Sequence, residues 1–195
     1  MTTIVVVKKA GQIAIAADTL TKYGDYTKES ATYIVNHEKI FRVGENYIAL
    51  SGCATADIAI REYFARKKSK IKLTSPTEIF RVWNDLHKVL KDKYFLNPSR
   101  HEDDSFESSR SRALIANPYG IFGVDSYRYV QEYTKFYAYG SGGEFALGAL
   151  FAAYNSERTA EEIAKYAVEA AIEFDDSTGF PINTFSLNEN KRQKS

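Results

Sequence analysis

Short apolar runs near the start of the chain predict two buried strands. Residues 2–9 and 12–18 carry apolar side chains on both faces, which indicates strands that lie between two layers. Ala10-Gly11 between them is a turn signal, so the two runs predict an antiparallel hairpin. Folding about that turn pairs positions whose numbers sum to about 21, which places Thr3 opposite Asp18.

Apolar runs bounded by turn residues predict further strands at residues 33–36, 39–43, 47–51, 112–116, 120–124, 127–139 and 180–187. Polar composition predicts loops at 22–29 and 97–111, and a polar tail at 188–195. Strands, helices, strands, helices and a final strand then follow one another in separate runs. Such segregated runs favour an α+β fold, and two-sided strands favour two sheets face to face.

Apolar stripes at helical spacing predict four helices. The first follows Thr55, a predicted N-cap, and carries Ala56, Ala59, Ile60, Tyr63 and Phe64 on one face. Ser75-Pro76 opens the second, with a stripe of Ile79, Val82, Trp83, Leu86 and Leu90. The third and fourth span 144–154 and 159–174, the latter opened by a capping-box pattern of Thr159 and Glu162. We find no repeat or linker, so residues 1–195 are interpreted as a single domain.

Composition narrows the classes of function. The 195 residues include 26 Lys and Arg against 25 Asp and Glu, a net charge of +1 that gives no electrostatic reason to expect nucleic-acid binding. His37, His87 and His101 show no metal-ligand spacing with the one cysteine, Cys53, so neither a metal nor another cofactor is expected. No apolar run reaches the length of a membrane span, and no basic segment precedes the first apolar residues as in a signal peptide. The expected location is the cytoplasm.

The chemistry is concentrated near the first residues. Asp18 closes an otherwise apolar strand, and a carboxylate in that position requires a partner. One interpretation is a capping or turn role. The other is a cation held near Thr2, and Lys39 is the candidate because it opens a strand-like run. A strand-edge Lys39 that faces solvent is the alternative for that residue.

Removal of Met1 would give Thr2 a free α-amine beside its own hydroxyl. A threonine hydroxyl is a weak nucleophile that needs an adjacent base. An α-amine has an unperturbed pKa of about 7.7–8.0, so it can serve as that base near neutral pH. A positive charge on Lys39 would disfavour protonation of the amine and lower its pKa further.

Two glycine-containing junctions lie where a strand gives way to a helix. Gly140-Ser141-Gly142-Gly143 could gather backbone N–H groups around a developing negative charge, and Ser51-Gly52-Cys53 could do the same. Both could equally be tight turns. A nucleotide-phosphate site at Gly140 is disfavoured because no Gly-Lys-Ser/Thr follows.

Taken together, these residues resemble the proteasome β-subunit family, and most closely its bacterial HslV and proteasome-homologue branches. The matching segments are Thr-Thr-Ile-Val at 2–5, Ala-Ile-Ala-Ala-Asp at 14–18, Lys-Ile at 39–40, the junction ending in Ala-Asp at 56–57, and Gly-Ser-Gly-Gly at 140–143. Their order and approximate spacing hold from Thr2 to about Gly179. The resemblance implies a four-layer αββα sandwich, the fold of N-terminal-nucleophile hydrolases, and hydrolysis of peptide bonds.

The same resemblance implies a role for each matching residue. Thr2 would be the nucleophile and its amine the base, with Lys39 lowering the pKa of that amine and Asp18 orienting Lys39. The Gly52 amide would stabilise the oxyanion, although one extra residue before Asp57 leaves this assignment open between Gly52 and Cys53. The residues that would surround the Thr2 amine are Ser141, Asp175 and Thr178.

Family membership also implies assembly. Subunits of this type form stacked hexameric or heptameric homo-oligomeric rings that enclose the active sites, admit unfolded protein or peptide substrates, and are often fed by an ATPase unfoldase. Two alternatives remain from the sequence: a catalytically silent scaffold ring of the same fold, and an amidase of small molecules that uses the same threonine.

Overall fold

Two β-sheets lie face to face, each with a pair of helices on its outer side, in a computed structural model that describes residues 2–23, 27–67, 71–98 and 104–190. In chain order the strands are β1 (Thr3–Lys9), β2 (Gln12–Asp18), β3 (Thr21–Tyr23), β4 (Thr27–Glu29), β5 (Ile40–Val43), β6 (Asn46–Gly52), β7 (Ser111–Asn117), β8 (Gly120–Val124), β9 (Val130–Tyr133), β10 (Phe136–Gly140) and β11 (Ile182–Asn188). The helices are α1 (Ala54–Lys67), α2 (Pro76–Tyr94), α3 (Gly143–Ala153) and α4 (Ala160–Phe174). The layers confirm the α+β class and the αββα sandwich.

Strand order places the start of the chain inside one sheet. That sheet runs β10-β1-β2-β11, and the other runs β5-β6-β7-β8-β9, with antiparallel neighbours throughout both. The predicted hairpin register is confirmed, since Lys9 pairs with Gln12 and Ile4 with Ala17. Asp18 therefore ends beside the first residues of the chain.

Alternating side chains of β1 explain why both of its faces are apolar. Ile4 and Val6 point towards the second sheet, while Val5 and Val7 pack against α3 and α4. All four side chains are fully buried, and each contributes on the order of 1.5–3 kcal/mol to folding. This packing fixes β1, the strand that Thr2 directly precedes.

The helix starts agree with the predicted caps in two cases and differ in one. Ser75 caps α2 ahead of Pro76, and Thr159 forms the capping box of α4 with Glu162. Thr55 was the predicted cap of the first helix, but α1 begins at Ala54, so Thr55 lies inside it. The reason is that strand β6 runs on to Gly52 and leaves Cys53 as the only residue between strand and helix.

Three strand and loop predictions are wrong. Residues 33–36 are not a strand, because a 3-10 turn over Ala31–Tyr33 and two turn residues occupy that region. The predicted loop at 22–29 contains strands β3 and β4, which form a two-stranded sheet; residues 24–26 lie outside the described residues. The predicted strand at 127–139 is divided into β9 and β10, one in each sheet.

The end of β10 approaches the start of β1 so closely that only glycine fits there. A Cβ on Gly140 would lie 1.7 Å from the carbonyl oxygen of Thr2, and the Gly140 φ of 113° is one that other residues rarely adopt. Its neighbour Ser141 donates its backbone N–H to that same oxygen at 2.9 Å. The glycine-rich junction therefore fixes the main chain of Thr2.

The beginning of the predicted tail is attached to the sheets. Glu189 donates its N–H to the carbonyl of Gly11, Asn190 donates to that of Pro118, and the Glu189 carboxylate pairs with Lys8 at 2.6 Å. Residues 191–195 of the tail lie outside the described residues. Within the described ranges, no helix combines the length and apolarity that crossing a bilayer requires.

Candidate active site

The Asp18 carboxylate, at the end of β2, gathers four hydrogen-bond donors. Its Oδ1 accepts from the backbone N–H of Thr3 at 2.9 Å and from Lys39 Nζ at 2.8 Å. Its Oδ2 accepts from the backbone N–H groups of Leu20 at 3.1 Å and Gly179 at 3.2 Å. The side chain is fully buried. Of the two interpretations of Asp18, the geometry favours the one in which it holds a cation near Thr2.

Lys39 lies one residue before β5 and turns inward rather than to solvent. Its side chain is 13% exposed, and Nζ donates to Asp18 and to the carbonyl of Leu20, the latter at 2.7 Å. The solvent-facing alternative for Lys39 is therefore wrong. The ammonium is therefore held by the last residue of β2 and by a carbonyl two residues beyond it.

Burial shapes the titration of this pair. Burial lowers the pKa of Lys39 below its usual range, while the charge of Asp18 acts in the opposite direction. Burial likewise raises the pKa of Asp18, and Lys39 together with the amides of Thr3 and Gly179 opposes that rise. Since all four partners of Asp18 are donors, the ionised carboxylate is the form that satisfies them.

A second polar cluster joins the glycine-rich junction to the residues after α4. Asp175 Oδ2 accepts a hydrogen bond from Ser141 Oγ at 2.7 Å and another from Thr178 Oγ1 at 2.5 Å. Thr178 is buried, whereas Ser141 is exposed. Because the single hydroxyl proton of Ser141 goes to Asp175, its oxygen can face other groups as an acceptor.

Thr3 connects the two clusters and was not predicted as a site residue. Its fully buried hydroxyl lies 2.7 Å from Thr178 Oγ1 and accepts the backbone N–H of Gly142 at 3.2 Å. As Thr178 gives its proton to Asp175, Thr3 donates to Thr178. The signal in the sequence was a threonine in a strand whose other inward residues are apolar, since such a hydroxyl needs a partner.

The Gly52 amide points into the space that Thr2 borders. The N–H of Leu50 donates to the carbonyl of Lys39 at 3.3 Å, on the β5 side of β6. Backbone N–H groups alternate in direction along a strand, so the N–H of Gly52 points to that same side, beyond the point where β5 begins.

Cys53 caps the first turn of α1. Its carbonyl accepts the N–H of Asp57 at 3.2 Å. Hydrogen bonds from the backbone N–H groups of Thr55 and Ala56 hold the pKa of the Cys53 thiol below its usual range. The thiol therefore accepts hydrogen bonds from backbone N–H groups in the first turn of α1.

A pocket of about 480 Å³ is lined by three of the seven predicted site residues. Thr2, Lys39 and Gly52 all line it, and so do Leu20, Lys22 and Cys53. Asp18 lies behind Lys39, and Ser141, Asp175 and Thr178 surround the start of β1 through Thr3 and Gly142. Met1 and His101 lie outside the described residues, and His87 is buried in a separate polar network on α2. The seven predicted site residues therefore form one neighbourhood.

No family model matches the chain. Two curated proteins are similar to it over most of its length. It is 27% identical over 202 residues to a proteasome subunit beta of Nanoarchaeum equitans, covering 96% of this chain and 93% of that protein. It is 26% identical over 170 residues to the ATP-dependent protease subunit HslV of Bartonella quintana, covering 87% and 80%.

Solved structures give a stronger likeness. BPH of Thiobacillus denitrificans is 50% identical with a TM-score of 0.91, covering 97% of this chain and 99% of that one. The same protein in complex with epoxomicin is also 50% identical, with a TM-score of 0.90 and coverage of 96% and 99%. HslV of Trypanosoma brucei, at 20% identity and a TM-score of 0.71 over 96% and 99% of the chains, is similar in fold.

Proposed function

Because the chain belongs to the proteasome β-subunit and HslV-like family, we propose that it is a threonine-type endopeptidase whose nucleophile is Thr2 after loss of Met1. The observation that carries the proposal is the Lys39–Asp18 pair, buried at the start of β1 in the pocket that Thr2 lines. A buried cation costs free energy unless it is paired. Here the paired lysine lines the same pocket as Thr2, the residue that would combine a hydroxyl with a free amine.

In this mechanism the Thr2 amine takes the proton of the Thr2 hydroxyl as the oxygen attacks the scissile carbonyl. The charge of Lys39 favours the neutral amine, which is the form that can accept a proton. The amine then passes this proton to the leaving nitrogen, and an ester on Thr2 remains. Water hydrolyses the ester with the same amine as base.

We assign the oxyanion to the Gly52 amide rather than to that of Cys53. The alternation of N–H groups along β6 and the capping role of Cys53 support this choice. Ser141 would accept a hydrogen bond from the protonated amine, and Asp175 and Thr178 would hold Ser141 in position. Residues 1–195 would act as one domain of this type.

Gly52→Ala should lower kcat by about 10²–10³-fold, the usual cost of a lost oxyanion donor. A Cβ there would lie 2.7 Å from the Arg110 carbonyl oxygen, and the φ of 151° is unfavourable for alanine, so the backbone of β6 must move. The measurement is kcat on a fluorogenic peptide. Gly148→Ala is the control, because its Cβ meets nothing within 4 Å, and it should leave kcat unchanged. Equal rates for the wild type and Gly52→Ala would contradict the assignment.

We further propose that the chain forms homo-oligomeric stacked rings that enclose Thr2 and admit unfolded protein or peptides, as other members of the family do. Exposed aromatic side chains on the outer helices support assembly: Phe145 is 45% exposed, Phe151 80% and Phe174 68%. The name of the Bartonella relative, an ATP-dependent protease subunit, supports an ATPase unfoldase as partner. The cytoplasm is the location that fits this role.

Intact mass and particle size of the purified protein test the proposal together. We expect a mass that lacks Met1, a particle of ring size, and covalent labelling by a peptide epoxyketone. The two adjacent electrophilic carbons of an epoxyketone match the neighbouring hydroxyl and amine of an N-terminal threonine. The structure of the Thiobacillus relative was solved in complex with epoxomicin.

Each contrary result favours a different alternative. Rings that retain Met1 or remain unlabelled would favour the silent scaffold. A labelled monomer or dimer would favour the small-molecule amidase.

A further inference from the structure

Arg61 on α1 binds three groups at the edge of the pocket. Its Nε donates to Asp57 Oδ2 at 2.7 Å, and its Nη2 donates to the carbonyl of Glu38 at 2.6 Å. The guanidinium also lies over the Phe41 ring, 4.7 Å from the centroid. A planar fork with several donors can make these contacts at once, which a lysine ammonium cannot.

The carboxylates of Asp18, Asp175 and Asp57 all act on the charge of the Lys39 ammonium. Asp175 is engaged by the hydroxyls of Ser141 and Thr178, which leaves the other two as candidate partners. Asp18 is fully buried behind the ammonium, while Asp57, whose side chain is 31% exposed, lines the same pocket as Lys39. The charge of Asp57 acts on Lys39 in the same direction as that of Asp18. Pairing with a half-exposed carboxylate carries a smaller desolvation cost than pairing with a buried one. A flexible lysine stem could therefore turn to Asp57 if that carboxylate had no other partner.

We propose that Arg61 is a positioning residue, which pairs with Asp57 and so keeps this carboxylate from competing with Asp18 for the Lys39 ammonium. Its hold on the carbonyl of Glu38, the residue before Lys39, works in the same direction because it fixes the backbone from which the lysine extends. The inference rests on the proposed function, in which Lys39 acts on the Thr2 amine.

A set of variants on α1 tests the competition. Arg61→Met, which keeps an apolar stem over Phe41, should lower kcat on the order of tenfold, since small displacements of catalytic groups have effects of this size or larger. Adding Asp57→Asn to Arg61→Met should restore most of the lost rate, because the competing charge is gone. Arg61→Lys, which can still pair with Asp57 four residues earlier, should retain more activity than Arg61→Met.

Arg66→Met is the matched control. Arg66 pairs with Glu62 at the same spacing on the same helix but more exposed to solvent, and its loss should leave kcat at the wild-type value. Failure of the double variant to recover would overturn the proposal, because a merely structural role of Arg61 would not be relieved by removing Asp57.

A crystal structure of Arg61→Met gives a readout that does not depend on activity. We expect Lys39 Nζ within ion-pair distance of Asp57, and a Lys39–Asp18 contact that stays at its present 2.8 Å would count against the proposal. If the processed wild type cleaves no peptide, the proposed peptidase function fails by itself. The position of Lys39 in the variant then still decides the role of Arg61.

Discussion

Thr2→Ala should abolish peptide cleavage, with a loss on the order of 10⁴-fold or more, because the variant lacks the attacking oxygen. Alanine, like threonine, is small enough to allow removal of Met1, so the α-amine should still be exposed. The N–H of Ser141 donates to the carbonyl oxygen of Thr2, and this main-chain contact does not depend on the side chain at position 2. Comparison with Thr2→Ser, which lacks only the methyl group, then isolates the effect of the hydroxyl. The measurements are turnover of a peptide library and covalent labelling by a peptide epoxyketone, with intact mass to verify processing.

Thr2→Ser is the matched control, since it retains both hydroxyl and amine. It should keep measurable turnover and become labelled at its first residue. Residual cleavage by processed Thr2→Ala at a rate near that of the wild type would show that another group performs the attack.

Asp18→Asn should both destabilise the protein and remove its activity. Removing one partner of a buried ion pair costs about 3–5 kcal/mol, because the other charge is left uncompensated. The asparagine would also present an NH₂ group to donors that now share two carboxylate oxygens, among them the N–H groups of Thr3 and Gly179. Lys39 without its carboxylate would lose its charge more readily, so the pKa of the Thr2 amine would no longer be lowered.

The free energy of unfolding in urea and kcat of the folded fraction measure the two effects separately. Glu62→Gln is the control, because Glu62 also pairs with a cation, Arg66, yet the side chains of both partners are well exposed, at 41% and 66%. This variant should retain wild-type stability and activity. If Asp18→Asn and Glu62→Gln were equally mild, the Asp18–Lys39 pair would not have the importance that we assign to it.

Local sequence patterns were sufficient to predict that Asp18 lies beside the first residues of the chain. A two-residue turn fixes the register of a hairpin, and this alone placed Asp18 beside Thr3. The direction of Lys39 could not be settled in that way, because the residues before it form no regular element that would fix its face. The structure decided it through contacts with Asp18 and Leu20.

Contacts between residues that are distant in sequence could not be predicted from local patterns. Ser141 and Asp175 were placed near Thr2 through the family resemblance, since no spacing rule relates two positions 34 residues apart, one before α3 and the other after α4. The linking role of Thr3 was missed, because it depends on a hydroxyl of Thr178 that lies 175 residues away. The strand predicted at 127–139 failed for a similar reason, as β-propensity alone does not show where a chain passes from one sheet to the other.

The anchoring of the first residues has a consequence for latency. The carbonyl of Thr2 and the N–H of Thr3 are held by Ser141 and Asp18, so these two bonds anchor the chain at the peptide unit between Thr2 and Thr3. An acyl group on that nitrogen, whether methionine or a fusion tag, turns the base into an amide that cannot accept a proton, while the anchors stay in place. A tagged subunit would thus be a folded zymogen, switched on by cutting one bond.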